Sequence, residues 1–125
     1  MTVRAAYFEL ISVISRAEAR TPLAGLDGLQ KRLIYLIADT TARGEIIRMS
    51  DIKALTGFGT APTILSRLNG MVESRLVQRV PDPDDGRSHR ITLTPKARRA
   101  IERVSRDVER AAPRWAADGS RGRGR

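Results

Sequence analysis

Apolar residues at Val3, Tyr7, Leu10, Ile14 and Ala17 alternate at spacings of four and three. This predicts a helix over residues 3–19 with a heptad-like seam. Ala6, Phe8, Ile11 and Val13 widen the apolar surface beyond one stripe, so the helix needs partners on more than one side. Thr21-Pro22 to Gly25 reads as a linker. Leu29, Leu33, Leu36 and Ile37 mark the buried face of a second helix. Asp27 with Gln30 three residues on forms a capping-box pattern at its start, and Gly44 is its stop. Glu45-Ile46-Ile47-Arg48 predicts a short strand. Ser50 then reads as the cap of a third helix, with Asp51 in the first turn where the helix dipole favours an anion.

Residues 50–94 carry the most information. The third helix ends in the turn Thr56-Gly57-Phe58-Gly59, with Phe58 expected to anchor in the core. A fourth helix from Thr60 to Arg75 buries Ile64, Leu65, Leu68, Met71 and Val72. Its other face is small and polar: Thr60, Thr63, Ser66, Arg67 and Asn69. Leu76–Val80 predicts a strand, residues 81–90 a turn-rich tip, and Ile91–Thr94 the returning strand. Thr94-Pro95 opens a fifth helix as N-cap followed by Pro at the first position. There Ala97, Ile101, Val104, Val108 and Ala111 repeat at four and three, with Pro113 as the stop and Trp115 beyond. The pattern is a winged helix-turn-helix: mainly α with a small β-hairpin, flanked by N- and C-terminal helices. Such a shape suits duplex DNA, because a helix enters the major groove while the hairpin tip reaches the backbone or minor groove beside it.

Composition narrows the classes. The 125 residues suffice for one domain with a modest core, and aromatic content is only 4%, so aliphatic packing must build that core. The chain has no Cys, which excludes disulfides and thiolate metal sites. No apolar run reaches the roughly 20 residues that span a bilayer, and no signal peptide is visible, so the expected location is cytoplasmic. The net charge of +9 favours a polyanionic partner. Most of it lies away from the reading head, however. Residues 95–125 hold ten Arg/Lys against four Asp/Glu, whereas 44–94 hold seven against six. A solvated basic tail would account for the excess.

The wing region carries a resemblance. Leu76-Val77-Gln78-Arg79, then Pro81-Asp82-Pro83-Asp84-Asp85-Gly86-Arg87, then Leu93-Thr94-Pro95-Lys96 resemble the MarR family of winged-helix transcriptional regulators. That family shows a Leu-Val-x-Arg strand, an Asp-x-Arg wing and a Leu-Thr before the next helix, in this order. The resemblance covers residues 26–110. It implies sequence-specific binding to double-stranded DNA, at an inverted repeat, by a homodimer built from the terminal helices and acting as a repressor. Two positions depart from the pattern. Arg75 stands where the family has a Gly in left-handed conformation, which predicts a different helix exit, and Ala97 stands where a Gly often follows Leu-Thr. The resemblance leaves room for a family-type effector pocket between the terminal helices and the core, but no polar cluster in the sequence marks one.

The candidate DNA-binding residues are Thr60, Thr63, Ser66 and Arg67 on the fourth helix, and Arg87, His89 and Arg90 on the wing. Arg87, at an extended tip, can reach a phosphate or a narrow minor groove, and the resemblance puts the family's wing Arg there. Asp85 would hold it in position. Arg67 can donate two hydrogen bonds to a guanine, and Thr60 can cap the helix and meet a phosphate. Arg79, like Arg90, flanks the wing within reach of phosphates. The dimerisation candidates are Val3, Tyr7, Leu10 and Ile14 with Ile101, Val104 and Val108. The corresponding organisation is 1–22 N-terminal helix, 23–94 DNA-binding core, 95–116 C-terminal helix and 117–125 disordered basic tail.

Other chemistries find no footing. A lone His lacks metal-ligand partners. Counting from Asp82, position 12 of a calcium loop is Leu93, not Glu. Those acids beside DNA would be repulsive unless paired with Arg87 or Arg90. Gly57-Phe58-Gly59 lacks the Gly-Lys-Ser/Thr of a phosphate loop. No nucleophile–base–acid set suggests an enzyme, and no cofactor is expected. Two alternatives stay open: a winged-helix adaptor that binds protein, and a non-specific architectural nucleic-acid binder using the Arg/Gly tail.

Overall fold

The computed structural model describes residues 3–111. The expected stop at Pro113, Trp115 and the basic tail lie outside them. The element order is α1 (Val3–Ala19), a 3-10 turn (Pro22–Gly25), α2 (Gly28–Ala42), α3 (Met49–Lys53), α4 (Ala61–Glu73), β1 (Val77–Pro81), β2 (His89–Leu93) and α5 (Pro95–Ala111). The described residues divide into two compact units, one of residues 3–24 with 99–111, the other Gly25–Arg98. The predicted linker at 21–25 is thus a 3-10 turn with Leu23 fully buried in it. The Thr21 hydroxyl fixes this turn by accepting from the Leu23 N–H at 3.1 Å and donating to the Glu18 carbonyl at 2.9 Å.

In the unit Gly25–Arg98 the core is aliphatic. Leu33, Ile34 and Ile37 of α2, Ile52 of α3, and Ile64, Leu68 and Met71 of α4 are fully buried, with Leu76, Val77 and Ile91 of the hairpin. Leu29 and Leu36 of α2, and Leu65 and Val72 of α4, are only half-buried, and Ile34 takes the central place the sequence pattern assigned to Leu36. Phe58 does not enter the core. It is half-buried, with the Arg32 guanidinium 4.3 Å above its ring and Arg32 Nη2 donating to the Gly57 carbonyl at 3.2 Å. A cation over an aromatic face is favourable, so the ring braces the turn from outside.

The caps follow residue chemistry. Asp27 and Gln30 form the full capping box on α2, at 2.8 and 3.0 Å. On α3 the cap is Arg48, not Ser50, and the Asp51 carboxylate accepts the Arg48 N–H at 2.8 Å. Residues 45–48 do not form a strand. They meet β2 at one bridge, Arg48 with Arg90, and through the Ile91 N–H bonded to the Ile47 carbonyl at 2.9 Å. Strands β1 and β2 pair antiparallel from Val77 with Leu93 to Pro81 with His89.

Helices α2 and α4 end alike. After α2, Gly44 at φ +76° lets the Glu45 N–H reach the Thr40 carbonyl at 3.1 Å. After α4, Arg75 adopts φ +62°, and the Leu76 N–H reaches the Met71 carbonyl at 2.9 Å. Both are Schellman motifs. The left-handed exit is therefore kept without glycine, contrary to the expectation from sequence. Thr94 holds it: its hydroxyl donates to the Arg75 carbonyl at 2.7 Å and accepts from the Ala97 N–H at 3.1 Å, joining the helix exit to the start of α5. Ala97 itself is fully buried.

In the other unit, α1 turns Val13 and Ala17 inward and leaves Tyr7, Phe8 and Ile11 exposed. Leu10 and Ile14 are half-buried. On α5, Ala100 and Val104 are buried while Ile101 and Val108 are half-buried. The Val3 side chain lies outside the described set.

A non-Gly residue in the left-handed region costs about 1 kcal/mol. Arg75→Gly is expected to raise the unfolding free energy by up to about 0.6 kcal/mol, after allowing for the extra freedom Gly gives the unfolded chain. A urea titration measures it, and a midpoint below that of the parent would contradict the strain.

Candidate nucleic-acid interface

The wing is anchored by one buried carboxylate. Asp82, just after β1, is 2% exposed. Its Oδ2 lies 2.6 Å from Arg48 Nε, and its Oδ1 lies 3.3 Å from Arg90 Nη2 and accepts the Asp84 N–H at 3.0 Å. The hydrogen bond from Arg48 is the main cause that lowers the Asp82 carboxyl to about 2; the Asp84 N–H adds to it, and burial opposes both. Arg90 thus serves the base of the wing rather than its surface, with Asp84 Oδ2 3.5 Å away. The expectation that Arg90 pairs with the wing acids holds. Arg48 was missed, because nothing local in the sequence links it to a residue 34 positions on.

At the tip, Asp85 Oδ1 accepts the backbone N–H of Arg87 at 3.1 Å, and the Ser88 N–H bonds to the Asp85 carbonyl at 3.0 Å. Asp85 therefore positions Arg87 through its backbone and leaves the guanidinium exposed. His89 opens β2 and is half-buried. Between α3 and the wing lies a cleft of about 430 Å³ lined by Met49, Ser50, Lys53, Arg79, Asp85, Arg87, Ser88 and His89.

On α4, Thr60 is the N-cap, accepting from the Thr63 N–H at 3.4 Å and donating to the Thr63 hydroxyl at 3.0 Å. Thr60, Thr63 and Ser66 are exposed. Arg67 sits on the flank of α4 that meets α2. Its Nε is 2.6 Å from Asp27 Oδ2, a close ion contact whose N–H is not aligned as a hydrogen bond. Gln30 Nε2 also donates to the Arg67 carbonyl at 3.1 Å. The Arg67 side chain is 43% exposed and that of Asp27 46%, so the pair is worth at most about 1 kcal/mol and can be exchanged for another partner.

The seven candidate residues therefore fall into three groups. Thr60, Thr63 and Ser66 share the exposed face of α4. Arg87 and His89 share the cleft with Lys53 and Arg79, while Arg67 and Arg90 are engaged in ion contacts. Among the described residues, no group of three or more His, Cys, Asp or Glu could hold a metal ion, and no helix is long and apolar enough to cross a membrane.

A short helix, a glycine turn, a longer capped helix and a two-stranded hairpin with an arginine at its tip define a winged helix-turn-helix. The model of the MarR family matches residues 24–88. The chain belongs to the MarR family of transcriptional regulators. Solved structures share the fold. RV1404 from Mycobacterium tuberculosis is 16% identical with a TM-score of 0.74, over 92% of this chain and 75% of that one. MepR from S. aureus, bound to ethidium bromide, is 15% identical with a TM-score of 0.68, over 94% and 83%. A mutant MarR from E. coli complexed with operator DNA is 14% identical with a TM-score of 0.59, over 87% and 73%. No curated protein matches the chain significantly.

Because its carboxyl is lowered in the folded state, Asp82 stabilises the fold fully above the usual Asp range near pH 4. That contribution is lost as pH falls toward about 2. Asp82→Asn is expected to lower stability at neutral pH, and the gap from the parent should narrow below about pH 4. Urea midpoints measured from pH 7 to pH 2.5 test this, and a gap independent of pH would refute the ionic role.

Proposed function

We propose that the chain binds duplex DNA sequence-specifically as a homodimer and represses transcription by occluding its site. The observation that carries this is the pairing of an exposed small-polar face on capped α4 with a wing whose Arg87 is held outward by Asp85. The α4 face suits base edges in the major groove, and Arg87 suits a phosphate or narrow minor groove. Operator DNA bound to a MarR of the same fold supports the reading. The dimer reading rests on the apolar side chains that α1 leaves outward, Tyr7 at 60%, Phe8 at 55% and Ile11 at 40% exposed. Half-buried Leu10 and Ile14 continue this seam on α1, and α5 contributes half-buried Ile101 and Val108, whereas Val104 is already buried within the chain. A regulatory rather than enzymatic role, in the cytoplasm, completes the proposal.

Selection of bound duplexes from a random pool is expected to yield an inverted repeat with half-sites about 10 bp apart. Sedimentation equilibrium should give a dimer, and charged residues in place of Leu10 and Ile101 should dissociate it or unfold the chain. A monomer that binds one half-site would overturn the dimer, and a pool without enrichment would overturn specificity.

Arg87→Ala should weaken binding to all sequences and reduce the salt slope by about one unit, as loss of one phosphate contact does. Arg67→Ala should instead cost about 1–3 kcal/mol of discrimination at one base pair. That contact requires Arg67 to leave Asp27. Anisotropy titrations at several salt concentrations separate the two. Equal weakening on all sequences would make Arg67 a phosphate clamp and overturn its base-reading role.

A further inference from the structure

The cleft between α3 and the wing brings together side chains that no single motif in the sequence connects. Lys53 comes from α3, Arg79 from β1, Arg87 from the tip and His89 from the start of β2. One carboxylate, Asp85, lines the same space, and it already accepts the Arg87 backbone N–H. Three permanent cations thus face one acid. Imidazole is the side chain that changes charge between about pH 5 and 8. His89 is the only histidine of the chain, which also lacks Cys. The other carboxylates at the wing are turned to different tasks, since Asp82 is held between Arg48 and Arg90 and Asp84 lies beside Arg90.

The geometry points to this cleft as the seat of one DNA backbone phosphate, held by Lys53, Arg79 and Arg87, with His89 taking up a proton when the phosphate enters. The inference rests on the DNA-binding reading above and adds Lys53 as a phosphate-holding residue and His89 as a proton-linked one. A phosphate among three cations relieves their mutual repulsion. It also favours a positive charge on the imidazole beside it. Asp85 alone does not balance the three cations that line the cleft. Binding and protonation at His89 are then linked, and each strengthens the other.

Fluorescence anisotropy with a labelled duplex from the selected pool, at pH 6 and pH 8 and several salt concentrations, tests this. The parent chain is expected to bind about three- to tenfold tighter at pH 6, within the limit of tenfold per pH unit for one proton. Its salt slope should be steeper at pH 6 by up to about 0.9. His89→Gln should abolish both differences, and Lys53→Gln should lower the salt slope at either pH. Calorimetry at pH 7 in two buffers of different ionisation heat should record uptake of a fraction of one proton by the parent and none by His89→Gln. Inorganic phosphate at millimolar concentration should not displace the duplex. Displacement at unchanged ionic strength would make the cleft a site for free phosphate and overturn the assignment to the DNA backbone. A parent that binds duplex equally at both pH values, or a His89→Gln chain that keeps the pH difference, would overturn the proposal alone. A parent that binds no duplex at either pH would overturn the DNA-binding reading with it.

Discussion

The wing depends on a single buried carboxylate. Asp82 lies between Arg48, at the N-cap of α3, and Arg90, the second residue of β2. Without Asp82 two arginines would face each other across the bridge that joins residue 48 to β2. With it, the start of the helix-turn-helix and the base of the hairpin become one piece. The same residue accepts the Asp84 N–H and thereby shapes the first turn of the tip. Geometry at the far end of the wing, where Arg87 stands, is thus set by an ion cluster at its base. Charge-assisted contacts of this kind are directional, and an Arg–carboxylate pair fixes orientation as well as distance.

Thr94 plays the matching part at the end of α4. Its hydroxyl joins the Arg75 carbonyl to the N-terminus of α5. The left-handed turn at Arg75 is unfavourable by itself. It persists because the Schellman bonds, the hairpin start at Leu76 and the Thr94 hydroxyl all require the same backbone path. The structure around a strained residue over-determines it.

What was legible in the sequence divides along the same line. Local signals were readable: the Asp27–Gln30 box, Gly44 as a helix stop, the Thr94-Pro95 start of α5 and the extent of α1. Each depends on residues within four positions of one another. Non-local signals were not readable. Arg48 capping α3 while reaching Asp82, and Arg67 turned to Asp27, need tertiary neighbours 34 and 40 residues away. Phe58 failed as a core anchor for a related reason: the core around α2 and α4 closes with aliphatic residues alone, and the ring finds Arg32 outside it. Arg75 was misjudged because residue type alone weighs the cost of positive φ, whereas the bonds that offset it come from residues 76 and 94.

The acids of the wing, which look unsuited to a DNA-facing hairpin, are what make it usable. Asp82 is buried against Arg48 and Arg90, Asp84 lies beside Arg90, and Asp85 accepts the backbone N–H of Arg87. Each carboxylate is engaged with a group of the wing itself, so the acids shape the backbone while Arg87 and Arg79 remain on the cleft side. An arginine on a floppy tip would lose about 2 kcal/mol of side-chain freedom, and more for the backbone, on meeting a phosphate. A tip already folded by Asp82 and Asp85 avoids the backbone part of that loss. The same logic distinguishes Arg67 from Arg90. Both are in ion contacts, but the Arg67 pair is about half exposed on each side and is readily exchanged, whereas Arg90 faces a carboxylate that is 1% exposed. Arg90 cannot leave Asp82 for DNA without stranding a buried charge, which is far costlier than giving up a solvent-screened pair. Burial of the partner therefore decides which arginine can take another partner and which must stay to hold the wing.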